Sequence, residues 1–422
     1  LNFLFLKNAT MFSMTRVLDF FKKYWLPITL ISLAITSKFI GFLRNAFIAY
    51  FFGASYTSDL LGILMFPTDF VLAYLINQTI ITALTIFFSR DQSAKREVFL
   101  RTFHFYRVIL TIASVVLAIV MIVVYPTVPW QYGVLAAIPG IFYGMAGIIQ
   151  SYLNYNRVFI WPATQELIAN LVLLFGVALA AKYGIYWYVV VMIAVGMLRI
   201  LVMYPDLRRL LADKPWIREL FGIQKIKFEK ELLIYIGPIL FTFILSGLPG
   251  FLILHKLNAA GEGYIAAYNY ANKIINLFNP IFVIPLTTYL IPTMQRWIEE
   301  KRSVVAVNTT AFLLLGSASF AFALVLVLWP DFLINAIYAR GHFDHQALWL
   351  TSKFLRYQAF AVVGYALMYY LLQLTLLHNK PRRLMASFIL GTLVIIGMQP
   401  AKVTLQRTTM PTRLSTCLIR FL

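Results

Sequence analysis

SKFIGFLRNAFIAYFFG, Ser37 to Gly53, lies inside a mostly apolar run of about 27 residues that begins at Leu26, long enough as a helix to cross a bilayer. The run nevertheless carries Lys38 and Arg44 near its middle. On a lipid-facing helix each charge would cost roughly 2.5–3.5 kcal/mol to insert, so such residues face a bundle interior or a watery cavity. Six residues separate the two, about 120° around the helix and under two turns along it, and one wide cavity can receive both. The competing reading has them snorkel to opposite interfaces. That suits Arg44, about 18 residues into the span, better than Lys38.

Composition agrees with a membrane setting. Of the 422 residues 61% are hydrophobic and only 12% charged, and mean hydropathy is +0.79, which excludes a soluble globular protein and indicates an all-α polytopic membrane protein. The net charge of +20 points to positive-inside loops and anionic headgroups. No basic tract interleaved with aromatics sits in a soluble module, so nucleic acid is set aside as a partner. The lone Cys417 excludes a disulfide framework and CxxC metal or redox sites. No secretory signal precedes the first span, whose apolar run is too long and lacks a small-residue cleavage site. Leu1 in place of Met, with Met11 and Met14 close behind, implies an alternative start or non-native first residues.

Apolar runs predict spans at 26–52, 60–88, 108–125, 133–153, 158–182, 185–204, 232–254, 264–291, 304–329 and 347–377, with an incomplete one at 384–398. Basic residues gather in alternate connections, around Arg90 to Arg101, at Arg157, from Arg208 to Lys230, around Arg296 to Arg302 and at Lys380 to Arg383. With Lys22 and Lys23 before the first span, this places the N-terminus and those connections in the cytoplasm and Tyr338 to His345 outside.

Two stretches recur in the same orientation: Gln150 with Asn156-Arg157 matches Gln373 with Asn379-Lys380, and Gly53 to Arg90 matches Asn258 to Arg296. The expected architecture is therefore two pseudo-symmetric helical lobes around a central cavity. The boundaries are a cytoplasmic amphipathic N-terminus at 1–25, a six-helix lobe at 26–204, a cytoplasmic linker at 205–231 and a second lobe at 232–398. This second lobe is expected to be incomplete, because the run from Leu384 to Met398 is short for a span and the tail at 399–422 turns basic without an acidic residue. A truncated or frame-shifted end is the expectation.

Polar and ionisable residues recur within spans: Asp69, Glu166, Asn170, Arg199, Lys273, Lys353 and Arg356, with Asp59 just ahead of the second. Cations predominate. An apolar enclosure lined by Lys and Arg suits an anionic lipid-linked ligand, because diphosphate accepts charge-assisted hydrogen bonds while its lipid tail stays in the bilayer. Arg199, Lys353 and Arg356 read as interfacial anchors, and Lys273, beside Asn272 and Asn276, as a cavity residue. Glu166 reads as the partner of a neighbouring base or as a cation-coupling carboxylate, and Asp59 as an N-cap or a ligand. Neither HExxH spacing nor a Gly-rich phosphate loop is present, and His342 and His345 lie in a loop beside Asp344 without a third convincing ligand, so no metal, cofactor or enzyme activity is expected.

Ser37-Lys38-Phe39-Ile40-Gly41-Phe42-Leu43-Arg44-Asn45, followed by Phe52-Gly53-Ala54, Thr57, Asp59 and Pro67, resembles the opening signature of the lipid II flippases of the MurJ/MviN family. Tyr270-Ala271-Asn272-Lys273, Ile291-Pro292 and Tyr338-Ala339-Arg340-Gly341-His342-Phe343 resemble later segments of it. The resemblance implies two six-helix lobes with two further C-terminal helices, alternating access and a central cationic cavity in the bacterial inner membrane. It also implies movement of an undecaprenyl-diphosphate-linked peptidoglycan precursor from the inner to the outer leaflet, beside cell-wall or polysaccharide synthesis enzymes. Position by position, Lys38, Arg44 and Lys273 become substrate-binding candidates, and Asp59, Asp69 and Glu166 gating or ion-coupling candidates. The sequence departs from the pattern where a basic pair is replaced by Val71 and Leu72, an acidic-glycine segment by Asn77-Gln78, and an acidic residue by Asn276. Three further readings stay open: a flippase for an exopolysaccharide or O-antigen oligosaccharide, a decayed component that does not transport, and a membrane glycosyl polymerase or ligase.

Overall fold

The computed structural model describes residues 2–377 except 127, 212–229 and much of 77–94 and 284–302. Among the described residues all regular structure is helical. The helices are α1 (Asn2–Phe52), α2 (Tyr56–Phe70), α3 (Lys95–Val124), α4 (Trp130–Tyr155), α5 (Ile160–Tyr183) and α6 (Ile185–Leu210). They continue as α7 (Lys230–Ala260), α8 (Tyr264–Ile275), α9 (Val305–Leu328), α10 (Pro330–Tyr338), α11 (His345–Gln358) and α12 (Ala361–Leu377). Six stretches, Thr29–Phe52, Arg96–Val124, Trp130–Tyr155, Ile160–Tyr183, Ile185–Leu210 and Val305–Leu328, are long and apolar enough to cross a membrane. The protein is an all-helical, multi-span membrane protein.

Two of the expected spans are not simple helices. α2 gives way to a π-helical turn at Val71–Leu75, and a second π-helical turn, Asn279–Val283, follows α8. The expected span at 347–377 is corrected to two helices, α11 and α12, parted at Ala359 and Phe360. Lys353, Arg356 and Gln358 make α11 polar, and the unbroken apolar run starts only at Ala361. The incomplete span at 384–398, the tail at 399–422, Asn77-Gln78 and most of the 205–231 linker lie outside the described residues.

The recurrence of Gly53 to Arg90 at Asn258 to Arg296 has a local counterpart in the backbone. Gly53 and Gly261 both take positive φ, Tyr56 and Tyr264 open helices, and Val71 and Asn279 open π-helical turns, all at one sequence separation.

α4 is the hub of the first half, in contact with α3 and α6, while α1 lies along α5 and α5 along α6. Some 67% of its apolar span is buried, against 33% or less in the other five. Helices in lipid gain no hydrophobic drive from one another, so close approach through small residues decides which of them pack. Gly140, Gly144 and Gly147 stripe one face of α4. A Cβ at Gly144 would collide with Leu110 of α3, and one at Gly147 with Ile76 beyond the first π turn. On the outside, Ile112, Val116, Ile119 and Val123 of α3 recur at helical spacing and stay exposed, the stripe that lipid would cover. In the second half α8 packs on α11 and α9 on α12, and the contacts of α2 with α8 and of α1 with α10 join the two sets.

Candidate functional site

Midway along the Thr29–Phe52 span of α1 the helices part around a chamber of about 400 Å³. Lys38, Arg44, Asp69, Glu166 and Lys273 line it, brought from α1, α2, α5 and α8. The geometry matches the helical argument for Lys38 and Arg44, since one chamber receives both. Arg199 of α6 lines it too, contrary to its expected place as an interfacial anchor, with its guanidinium 4.4 Å from the centre of the Tyr143 ring. That cation–π contact orients the head without neutralising it. Lys353 and Arg356 keep to the exterior, the first over the Trp349 ring at 4.9 Å and the second paired with Asp331 at 3.0 Å.

The charges of the chamber are unevenly matched. Lys38 Nζ lies 2.7 Å from Glu166 Oε1, an ion pair between α1 and α5 whose side chains remain 56% and 41% exposed. Arg44 is 8% exposed, and its Nε has no hydrogen-bond partner among the described residues. Among the described residues, four cations thus face two carboxylates, Asp69 and Glu166. Beside the ion pair, Asn170 Nδ2 donates to Ser37 Oγ at 3.0 Å and to the Ser37 carbonyl at 3.2 Å, joining α1 and α5 through neutral groups. Of the Val71–Leu72 pair, Val71 is fully buried against Gly140, and Leu72 lines the chamber.

A smaller cavity of about 110 Å³ adjoins the chamber, sharing Asn45, Met65, Asp69 and Lys273 with it, and reaches Ser58. Beyond it the path is sealed. Asp59 sits there and does not line the chamber, ten residues, or about 15 Å along α2, from Asp69. Its helix is already started by Ser55, whose backbone N–H donates to Ser58 Oγ at 2.9 Å. Asp59 caps α8 instead, accepting from the backbone N–H groups of Gly263 at 2.6 Å and Ala266 at 2.7 Å. A carboxylate belongs there, because the first N–H groups of a helix have no partner within it and carry partial positive charge. Around it Tyr56 N–H donates to Glu262, Tyr270 Oη to the Gly53 carbonyl and His342 N–H to the Tyr50 carbonyl, at 2.8, 2.8 and 2.9 Å. Gly263 and Gly341 are in the left-handed region, at φ of 81° and 66°, and a Cβ on either would strike the backbone of Ala54 or Tyr50.

Sequence reasoning passed over Tyr143 and the Ser37–Asn170 contact. Ser37 carries no charge to mark it, and its partner is 133 residues away.

A family model for the lipid II flippase MurJ matches residues 48–396. The fold resembles a solved structure of the lipid II flippase MurJ in an inward closed conformation, at a TM-score of 0.72 and 17% identity over 87% of this chain and 79% of that one. No curated protein sequence matches. With most of its length covered by the family model, and with the helical fold to go with it, the chain belongs to the MurJ lipid II flippase family, whose members are transporters and not enzymes.

Proposed function

We propose that this chain moves an undecaprenyl-diphosphate-linked glycan, a lipid II-like peptidoglycan precursor, from the inner to the outer leaflet of the bacterial inner membrane. One observation carries the reading: among the described residues, Lys38, Arg44, Arg199 and Lys273 meet in one chamber against two carboxylates, Asp69 and Glu166. A diphosphate supplies the missing negative charge and accepts several charge-assisted hydrogen bonds at once. Lys38, Arg44 and Lys273 are its ligands in this proposal, while Asp69 and Glu166 balance or couple charge and Asp59 belongs to a gate. Movement is by alternating access between two pseudo-symmetric lobes, 26–204 and 232–398, joined by the 205–231 linker.

The alternation of basic connections orients the protein with its N-terminus cytoplasmic. The sealed end, which holds Gly341 and His342, is then the outer one. Single cysteines placed in a Cys417-free background test this: external reagent labels the Tyr338 to His345 segment and spares Asp206 to Leu211. The reverse pattern overturns the orientation.

A second substrate reading is favoured by Val71 and Leu72, apolar where the family resemblance calls for a basic pair and of which Leu72 lines the chamber. It gives the same carrier lipid a different glycan, an exopolysaccharide or O-antigen oligosaccharide. A leaflet-accessibility assay in vesicles, run with lipid II and with an O-antigen-type lipid, separates the two. If folded protein accelerates neither, the chain is a component that does not transport.

A further inference from the structure

In the transport reading Glu166 has no task more definite than the charge balance it shares with Asp69. The Glu166 carboxylate holds the Lys38 ammonium at 2.7 Å, where a ligand's phosphate would have to sit. Both side chains remain about half exposed, so water reaches the pair and screens it, and pairs of this kind are weak. The pair is not the sole link between its two helices. One turn along α5, Asn170 already ties α5 to α1 through two bonds to Ser37, and a Cβ added at Gly41 of α1 would come into ordinary contact with the same Asn170 side chain. Lys38 can therefore exchange partners without the helices losing register.

We infer that Glu166 is a displaceable counter-ion: it occupies the ligand's place on Lys38, yields it to an incoming diphosphate, and takes it back to speed release. The inference rests on the proposed diphosphate chamber. The exchange replaces one anion on Lys38 by another, so Lys38 is never left bare. The balance is tipped toward the ligand by the cations that Glu166 does not hold, Arg44 with its unpartnered Nε, Arg199 and Lys273. Asp69 is the other carboxylate in the chamber, on α2, and has no hydrogen bond to Lys38. A carrier must hold its ligand firmly enough to load and weakly enough to unload, and a resident competitor for one of several contacts sets that balance.

The test is Glu166→Gln, with Glu166→Asp and Asn170→Leu beside it, in the full chain reconstituted in lipid. Undecaprenyl diphosphate is the binding probe, and a fluorescent undecaprenyl-diphosphate-linked sugar is the transport probe. Without the competing charge, Glu166→Gln should bind the probe about fivefold more tightly, the scale of one exposed ion pair, yet translocate more slowly at saturation. Glu166→Asp, which keeps a competing carboxylate, should fall between it and wild type. Asn170→Leu should lower the melting temperature without any gain in affinity. If Glu166→Gln loses its fold or binds more weakly, the pair is a strut and the inference is overturned. Unchanged affinity and rate overturn it as well. Should wild type bind no diphosphate, the chamber reading itself falls, and this inference with it.

Discussion

Asp59 and Asp69 sit on the same helix, ten residues apart, and live in opposite surroundings. Asp59 is 6% exposed and both of its carboxylate oxygens take backbone N–H groups of α8. Asp69 stands exposed in the wall of a chamber whose cations outnumber its carboxylates. At the sealed end polar groups are spent on one another, backbone to backbone and carboxylate to helix terminus. In the chamber they are held ready and only partly matched. A buried charge whose bonds are all made is part of the architecture, and charges gathered in a cavity with bonds left to make are what the proposed diphosphate would use. The two regions should accordingly respond to mutation in opposite ways, the first in stability and the second in transport.

Asp59→Ala tests the sealed end most severely. It strands two buried N–H donors at the start of α8, and a loss of about 2–3 kcal/mol is expected, read as a lowered melting temperature. Asp59→Asn keeps one acceptor oxygen and should recover part of that. A melting temperature unchanged in Asp59→Ala would break the comparison at its first term. Gly341→Ala comes next, at about 1–3 kcal/mol, because the residue is left-handed and a Cβ would meet the Tyr50 carbonyl. Lys38→Ala comes third. Its partner Glu166 is 41% exposed and not stranded in a dry core, so the stability change should stay within about 1 kcal/mol while transport falls.

Much of this contrast was legible in the sequence, and where it was not the reason is physical. Lys38 and Arg44 announced the chamber because a charge in mid-membrane has few inexpensive places to be. Arg199 was misjudged because Arg208 and Arg209 follow it closely, and a cation near a basic connection reads as an anchor; its contact with Tyr143 depends on how α6 is rotated against α4. The task of Asp59 could not be read at all. Its position ahead of a helix suggests a cap, but the helix it caps begins some 200 residues later, and only tertiary structure brings Gly263 to it. The break between α11 and α12 was hidden by length alone, since 347–377 is long enough for one span and the polar residues of α11 only bias where it ends.

The smallest stability effect, and the sharpest test of the comparison, belongs to Lys273. It lies in the last turn of α8, where the carbonyl end of the helix favours a cation by about 0.3–1 kcal/mol. Against that stands the cost of holding an ammonium partly desolvated without a carboxylate bonded to it, so Lys273→Ala should leave stability within about 1 kcal/mol of wild type, in either direction. Transport should respond quite differently. If the ammonium holds a diphosphate oxygen, its removal weakens binding about tenfold or more, the usual result of truncating one partner of a desolvated charge pair. Lys273→Arg should keep or improve binding, because a guanidinium can grip two phosphate oxygens where an ammonium grips as a point charge. Thermal melting and vesicle translocation, measured on both variants, decide the matter. An alanine variant that melts early would make Lys273 a strut, like Asp59 at the sealed end. One that melts normally and transports normally would leave the chamber without a ligand at α8, and the division between a bonded end and a waiting chamber would have to be redrawn around Lys38, Arg44 and Arg199.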